Sequence, residues 1–110
     1  MDPYYKPEHL PHFGDIGQGA PDLGRKFFDY YGAVFAQGAL SEREKALIAL
    51  AVAHTVQCAY CIDAWSTGAL EKGADLEQMT EAIHVATAIR GGASLVHGMQ
   101  MLEHVKKLGM

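Results

Sequence analysis

The chain has 110 residues, 49% hydrophobic and 20% charged, with a formal net charge of -4. That length allows one modest core and excludes a cofactor domain standing beside a substrate domain. Acidic and basic residues are interspersed with no basic stripe, which excludes the footprint of a nucleic-acid binder, and no apolar run approaches the roughly 20 residues that span a bilayer.

The start, Met1-Asp2-Pro3-Tyr4-Tyr5-Lys6, lacks the basic and then apolar order of a signal peptide, so a cytoplasmic protein is expected. Residues 1–20 hold three of the four prolines together with Gly14, Gly17 and Gly19, which predicts an irregular arm over the body of a single 1–110 domain. Pro21-Asp22 then opens a first helix whose Phe27, Phe28, Tyr31, Val34 and Phe35 form an aromatic core face ending before Gly38.

Ser41-Glu42-Arg43-Glu44 has the capping-box form, in which a serine and a glutamate three residues on satisfy free backbone amides at a helix start. The following run, Ala46-Leu47-Ile48-Ala49-Leu50-Ala51-Val52-Ala53, has no solvent face and is expected at the centre of a bundle. One helix over residues 41–72 would be ~48 Å long, whereas a compact chain of this size has a radius of gyration of ~13 Å and a width of ~34 Å. A break is therefore predicted at Thr55-Val56, placing Cys58 and Cys61 in the first turn of a new helix, where free amides and the macrodipole favour a thiolate.

Asp75-Leu76-Glu77-Gln78 is a second capping-box candidate, leading into a stripe of Met79, Ala82, Ile83, Ala86 and Ile89 that is expected to stop at Gly91-Gly92. A separate last helix is predicted beyond it, with Leu95, Met99 and Leu102 on one face and His97, Met101, His104 and Leu108 on the other. Apolar residues on two faces call for a second subunit, so a homo-oligomer is expected. No alternating strand pattern occurs, and the predicted fold class is all-α, a compact helical bundle.

The chain's only cysteines form Cys58-Ala59-Tyr60-Cys61. This spacing lets one thiolate attack and the other resolve, and it also supplies two thiolate ligands to a metal. A reducing cytosol argues against a structural staple. On an unbroken helix His54, Cys58, Cys61 and Trp65 fall within ~60° of one another, so His54 is the candidate proton acceptor for a cysteine thiol, the alternative being a satisfied core histidine. Tyr60 and Trp65 are read as packing residues beside a possible pocket, and His84 and His97 as candidates for a subunit junction. Two chemistries remain open: a thiol oxidoreductase, and a metal-binding module with His54, Cys58 and Cys61 as ligands and a fourth donor from elsewhere.

Glu44-Lys45-Ala46-Leu47-Ile48-Ala49-Leu50-Ala51-Val52-Ala53, then Cys58-Ala59-Tyr60-Cys61-Ile62-Asp63-Ala64 and Gly73-Ala74, resembles the carboxymuconolactone decarboxylase superfamily. Within it the chain is similar to the alkylhydroperoxidase D branch, and especially to the peroxidase-like proteins associated with arsenosugar biosynthesis. The resemblance implies a helical fold assembled as an obligate trimer or hexamer, working without a cofactor on a peroxide or disulfide substrate and re-reduced by a dithiol partner. By position Cys61 would attack peroxide, and Cys58 would resolve the product and meet the reductant. The branch also carries a glutamate twelve residues before the first cysteine, a histidine directly before the second and another four after it; this chain has Ala46, Tyr60 and Trp65 there. His54 is the substitute to expect, because Glu44 points ~160° away from the lost carboxylate on a regular helix. The superfamily's decarboxylases imply a third possibility, a lyase using acid–base residues rather than thiols.

Overall fold

The structure, a computed structural model, describes residues 3–109. A 3-10 helix, Pro7–Gly17, precedes four α-helices: α1 (Pro21–Phe35), α2 (Glu42–Val56), α3 (Ala59–Glu71) and α4 (Leu76–Lys107). No strand occurs among the described residues, and the fold is all-α. The arm is more regular than its composition predicts. Pro7 and Pro11 hold φ near the helical value, which favours a continuous run of 3-10 turns over an irregular coil.

Both capping boxes form. Glu44 N–H donates to Ser41 Oγ at 3.0 Å and Ser41 N–H to Glu44 Oε1 at 2.8 Å; Gln78 N–H donates to Asp75 Oδ1 at 2.8 Å and Asp75 N–H to Gln78 Oε1 at 3.1 Å. The Ser41 hydrogen bonds hold the Glu44 carboxyl below its usual pKa. Ser41→Ala should lower stability by about 1 kcal/mol, read as a fall in thermal midpoint, while Ser41→Asp should largely retain it.

Helix α2 ends at the predicted break. Gln57 adopts the left-handed conformation, φ 58° and ψ 48°, at a cost of about 1 kcal/mol for a non-glycine residue. Its N–H reaches the His54 carbonyl at 3.3 Å and the next N–H, that of Cys58, reaches Ala53 at 3.0 Å, the paired closure of a Schellman motif. Gly73, at φ 91°, closes α3 in the same way through Leu70 and Ala74 through Ala69. Lys45 Nζ donates to the Val34 and Ala36 carbonyls at the end of α1, at 2.7 and 2.6 Å. Arg90 of α4 donates to the Thr55 carbonyl at the end of α2, at 2.7 Å. Side chains from neighbouring helices thus satisfy carbonyls that the helix ends leave free.

The separate last helix does not exist: α4 runs unbroken for 32 residues through Gly91-Gly92. Two glycines weaken a helix by about 1 kcal/mol each, yet each keeps the N–H that continues the ladder, and no proline follows to end it. At 1.5 Å per residue α4 is ~48 Å long, and the chain extends over 59 × 36 × 35 Å with a radius of gyration of 18.9 Å. The compact globule expected of this length is therefore not formed. From Thr87 to Gly109 every residue except Gly98 and Val105 is exposed.

The centre of the fold lies where α2 meets α3 and α4. Its buried side chains are small, Ala46, Ala53, Ala69, Ala74 and Ala86 beside Leu50, with Leu47, Trp65 and Met79 packed against Ala46, Ala69 and Ala74. Contrary to expectation, α2 is not enclosed: Ile48, Val52 and Val56, at successive four-residue steps, are 49%, 52% and 65% exposed. Two neighbouring helices cover only two of its flanks, and an all-apolar helix leaves a third stripe bare.

Candidate active site

Cys58 is positioned from both sides. Its N–H closes α2 on Ala53, and its side chain caps α3, accepting a hydrogen bond from the Cys61 N–H at 3.2 Å. Cys58 and Cys61, with Cα atoms 5.2 Å apart, are joined as a disulfide, and both are half-buried. In the reduced protein the same amide and the positive end of α3 favour a thiolate at Cys58.

His54 lies half-buried in the last turn of α2, with Nδ1 at 2.8 Å from the Leu50 carbonyl. A carbonyl only accepts, so Nδ1 carries the proton and the neutral ring keeps its Nε2 lone pair. No hydrogen bond joins His54 to either sulfur among the described residues. Glu44 is committed to its capping box. Trp65 is a packing residue: its ring lies 4.2 Å from that of Phe35 and its Nε1 donates to the Tyr31 hydroxyl at 3.1 Å. His84 and His97 are exposed on α4, and His97 Nδ1 lies on the Ala93 carbonyl at 2.7 Å. Among the described residues no group of three His, Cys, Asp or Glu side chains is gathered for a metal, so His54, Cys58 and Cys61 do not form an assembled donor set.

Three residues at this site were missed by sequence reasoning: Tyr5, His9 and Asp63. The Tyr5 hydroxyl donates to the Asp63 carboxylate, two residues beyond Cys61. The Tyr5 ring meets Tyr60 edge-on with centroids 4.5 Å apart, and His9 Nδ1 lies 3.4 Å from the Tyr60 hydroxyl. The arm is thus fastened to Tyr60, one of the two residues between the cysteines, and to Asp63. Contacts 58 and 51 positions apart leave no local trace; the one available cue was the Tyr4-Tyr5 pair in an otherwise proline-rich arm.

The Asp63 hydrogen bond, reinforced by desolvation, pushes the Tyr5 phenol from 10.0 up to about 12. The hydrogen bond needs the protonated phenol, so this contact is complete below pH 10 and lost as pH rises through about 12. In an alkaline titration followed by phenolate absorbance, one of the five tyrosines should therefore ionise late, and Tyr5→Phe should remove that late component.

Fold and site together define a small all-helical protein carrying a cysteine pair at the start of an internal helix. The chain belongs to the carboxymuconolactone decarboxylase family, whose model matches residues 21–104. It is 40% identical over 96 residues to "Uncharacterized protein 4 in cox locus" of Paracoccus denitrificans, covering 87% of this chain and 86% of that protein. Among solved structures it is similar to a structural-genomics target from Methanobacterium thermoautotrophicum, with a TM-score of 0.74, 31% identity, and coverage of 78% of this chain and 97% of the other. It is also similar to an apo carboxymuconolactone decarboxylase family protein from Legionella pneumophila, with a TM-score of 0.68, 27% identity, and coverage of 94% and 97%. No described helix is long and apolar enough to cross a membrane.

Proposed function

We propose that the protein is a thiol-dependent oxidoreductase that reduces a peroxide or a disulfide through Cys58 and Cys61 in the reducing cytosol. The observation that carries this reading is the pair itself, joined across the start of α3 with a backbone amide directed at Cys58 Sγ. Membership of a family that includes alkylhydroperoxidase-like proteins supports it. The Cys61 thiolate attacks one peroxide oxygen; the other leaves, with a proton, as water or an alcohol, and Cys61 becomes a sulfenic acid. Cys58 attacks that sulfur, expels water and closes the disulfide; a dithiol reductant then gives up two electrons and two protons to restore both thiols. With a disulfide substrate the thiolate instead forms a mixed disulfide, which the second cysteine resolves. His54 Nε2 is the proposed proton acceptor.

One equivalent of peroxide added to the reduced protein should lower its mass by about 2 Da and link Cys58 to Cys61 in a peptide map. Peroxide that leaves both thiols intact would overturn the proposal. The family's name favours a lyase as the second reading; full activity toward a lactone acid in cysteine-to-serine variants would establish it.

The proposal includes a homo-oligomer, a trimer or hexamer. Among the described residues Leu50 is the one large side chain with less than 2% exposure, while Ile48 and Val52 of α2 and Val85, Ile89, Leu95, Met99 and Leu102 of α4 are exposed. This apolar area is what a second copy would cover. Light scattering at micromolar concentration should give at least three times the chain mass of 11.9 kDa; a stable monomer would overturn the assembly.

A further inference from the structure

Cys58 stands between two helix ends of opposite sign. The first amides of α3 carry a positive partial charge that favours a thiolate, and the last carbonyls of α2 carry a negative one that opposes it. Cys58 is bonded to that negative end: its N–H donates to the Ala53 carbonyl at 3.0 Å, beside the Gln57 N–H on the His54 carbonyl at 3.3 Å. The Thr55 carbonyl belongs to the same last turn, and its donor comes from another helix, Arg90 Nη1 of α4 at 2.7 Å. Thr55 Oγ1 turns back to the Ala51 carbonyl at 3.0 Å, so Arg90 holds the backbone of the turn. Carbonyls two residues apart on a helix are about 5 Å apart, which places Arg90 Nη1 and the Cys58 amide nitrogen at most about 11 Å from each other.

Arg90 forms no ion pair among the described residues. The other titratable groups around the turn are engaged or remote. His54 is bonded to the Leu50 carbonyl, Asp63 to the Tyr5 hydroxyl, and His9 lies beside Tyr60; the Glu42–Lys72 pair sits at the opposite end of α2. Arg90 is thus the uncompensated cation fixed to the turn from which Cys58 hangs.

We propose that Arg90 is a positioning residue for the cysteine pair, which offsets the negative end of α2 from across the helix junction and so lets the Cys58 thiolate form at lower pH. This role deepens the redox reading of the pair and rests on it for its purpose: in the proposed cycle Cys58 closes the disulfide as a thiolate, and Arg90 extends the pH range in which closure is fast. A unit charge about 10 Å away, in surroundings between the protein's effective dielectric of about 20 and water's of about 80, moves a pKa by about half a unit. At that range the effect is nearly full at about 10 mM salt and mostly screened at about 1 M.

The test uses the full chain carrying Cys61→Ser, in which Cys58 is the one thiol and the backbone amide at position 61 is kept. The rate of alkylation by iodoacetamide is followed against pH, with circular dichroism verifying that the helices persist. Arg90→Gln, which keeps a donor and loses the charge, should raise the pH midpoint by about half a unit at about 10 mM salt, and the rise should shrink at about 1 M. Arg90→Lys, which keeps the charge, should leave the midpoint near its original value. A lower thermal midpoint with an unshifted alkylation profile in Arg90→Gln would reduce Arg90 to a structural cap and overturn the proposal, and so would an Arg90→Lys profile displaced as far as that of Arg90→Gln. Alkylation needs only a free thiol, so this result stands apart from the peroxide experiment: a shifted profile in a protein that peroxide does not oxidise would retain the effect of Arg90 on Cys58 and remove only its redox purpose.

Discussion

Cys61→Ser should reduce peroxide consumption to the buffer background, while Cys58→Ser should still react once and then stop. The asymmetry follows from the proposed division of labour. Without Cys61 no thiolate attacks the peroxide. Without Cys58 the sulfenic acid on Cys61 forms and has no internal partner, so it accumulates or is captured by an added thiol as a mixed disulfide. A trapping reagent for sulfenic acids should therefore label Cys58→Ser and leave Cys61→Ser unlabelled. The reverse pattern would exchange the two roles, with the Cys61 N–H donation to Cys58 Sγ as the physical reason, since that hydrogen bond favours charge on Cys58. Equal single turnovers in both variants would remove the ordered mechanism altogether.

His54→Ala should slow turnover ~10²–10⁴-fold where proton transfer limits the rate, and should shift the pH profile of thiol alkylation upward. The reasoning is one of tautomers. Donation from Nδ1 to the Leu50 carbonyl leaves Nε2 as the acceptor, in the last turn of α2, which ends two residues before Cys58. His84→Ala, on an exposed face of α4, is the control and should have little effect on either quantity. The comparison belongs on folded protein with intact helical signal, because removing a half-buried ring also disturbs packing. An unchanged alkylation profile in folded His54→Ala would remove the imidazole from the mechanism and leave the α3 amide and dipole to stabilise the thiolate.

The two capping boxes were legible because each is a three-residue exchange between a side chain and the nearest free amides, which the structure repeats at Ser41/Glu44 and Asp75/Gln78. The break before Cys58 was placed correctly for a reason the rest of the chain contradicts. The length argument forbids a helix of about 48 Å, yet α4 reaches that length across Gly91-Gly92. What ends α2 is the left-handed Gln57 and the two hydrogen bonds that close behind it. Composition also overstated the enclosure of α2, since an apolar helix shows only that its surface is to be covered, and in one chain Ile48, Val52 and Val56 are not.

By itself, then, the sequence determined the all-α class, the starts of α2 and α4 and the placement of the cysteine pair at the head of α3. Each depends on hydrogen bonds and periodicities within a few residues. Tertiary structure alone decided that Trp65 closes the core against Phe35, that Arg90 satisfies the end of α2, and that Tyr5 and His9 reach Tyr60 and Asp63. Those contacts join positions 30 to 58 residues apart, and a pairing at that range is set by how the helices cross, which local propensity does not specify.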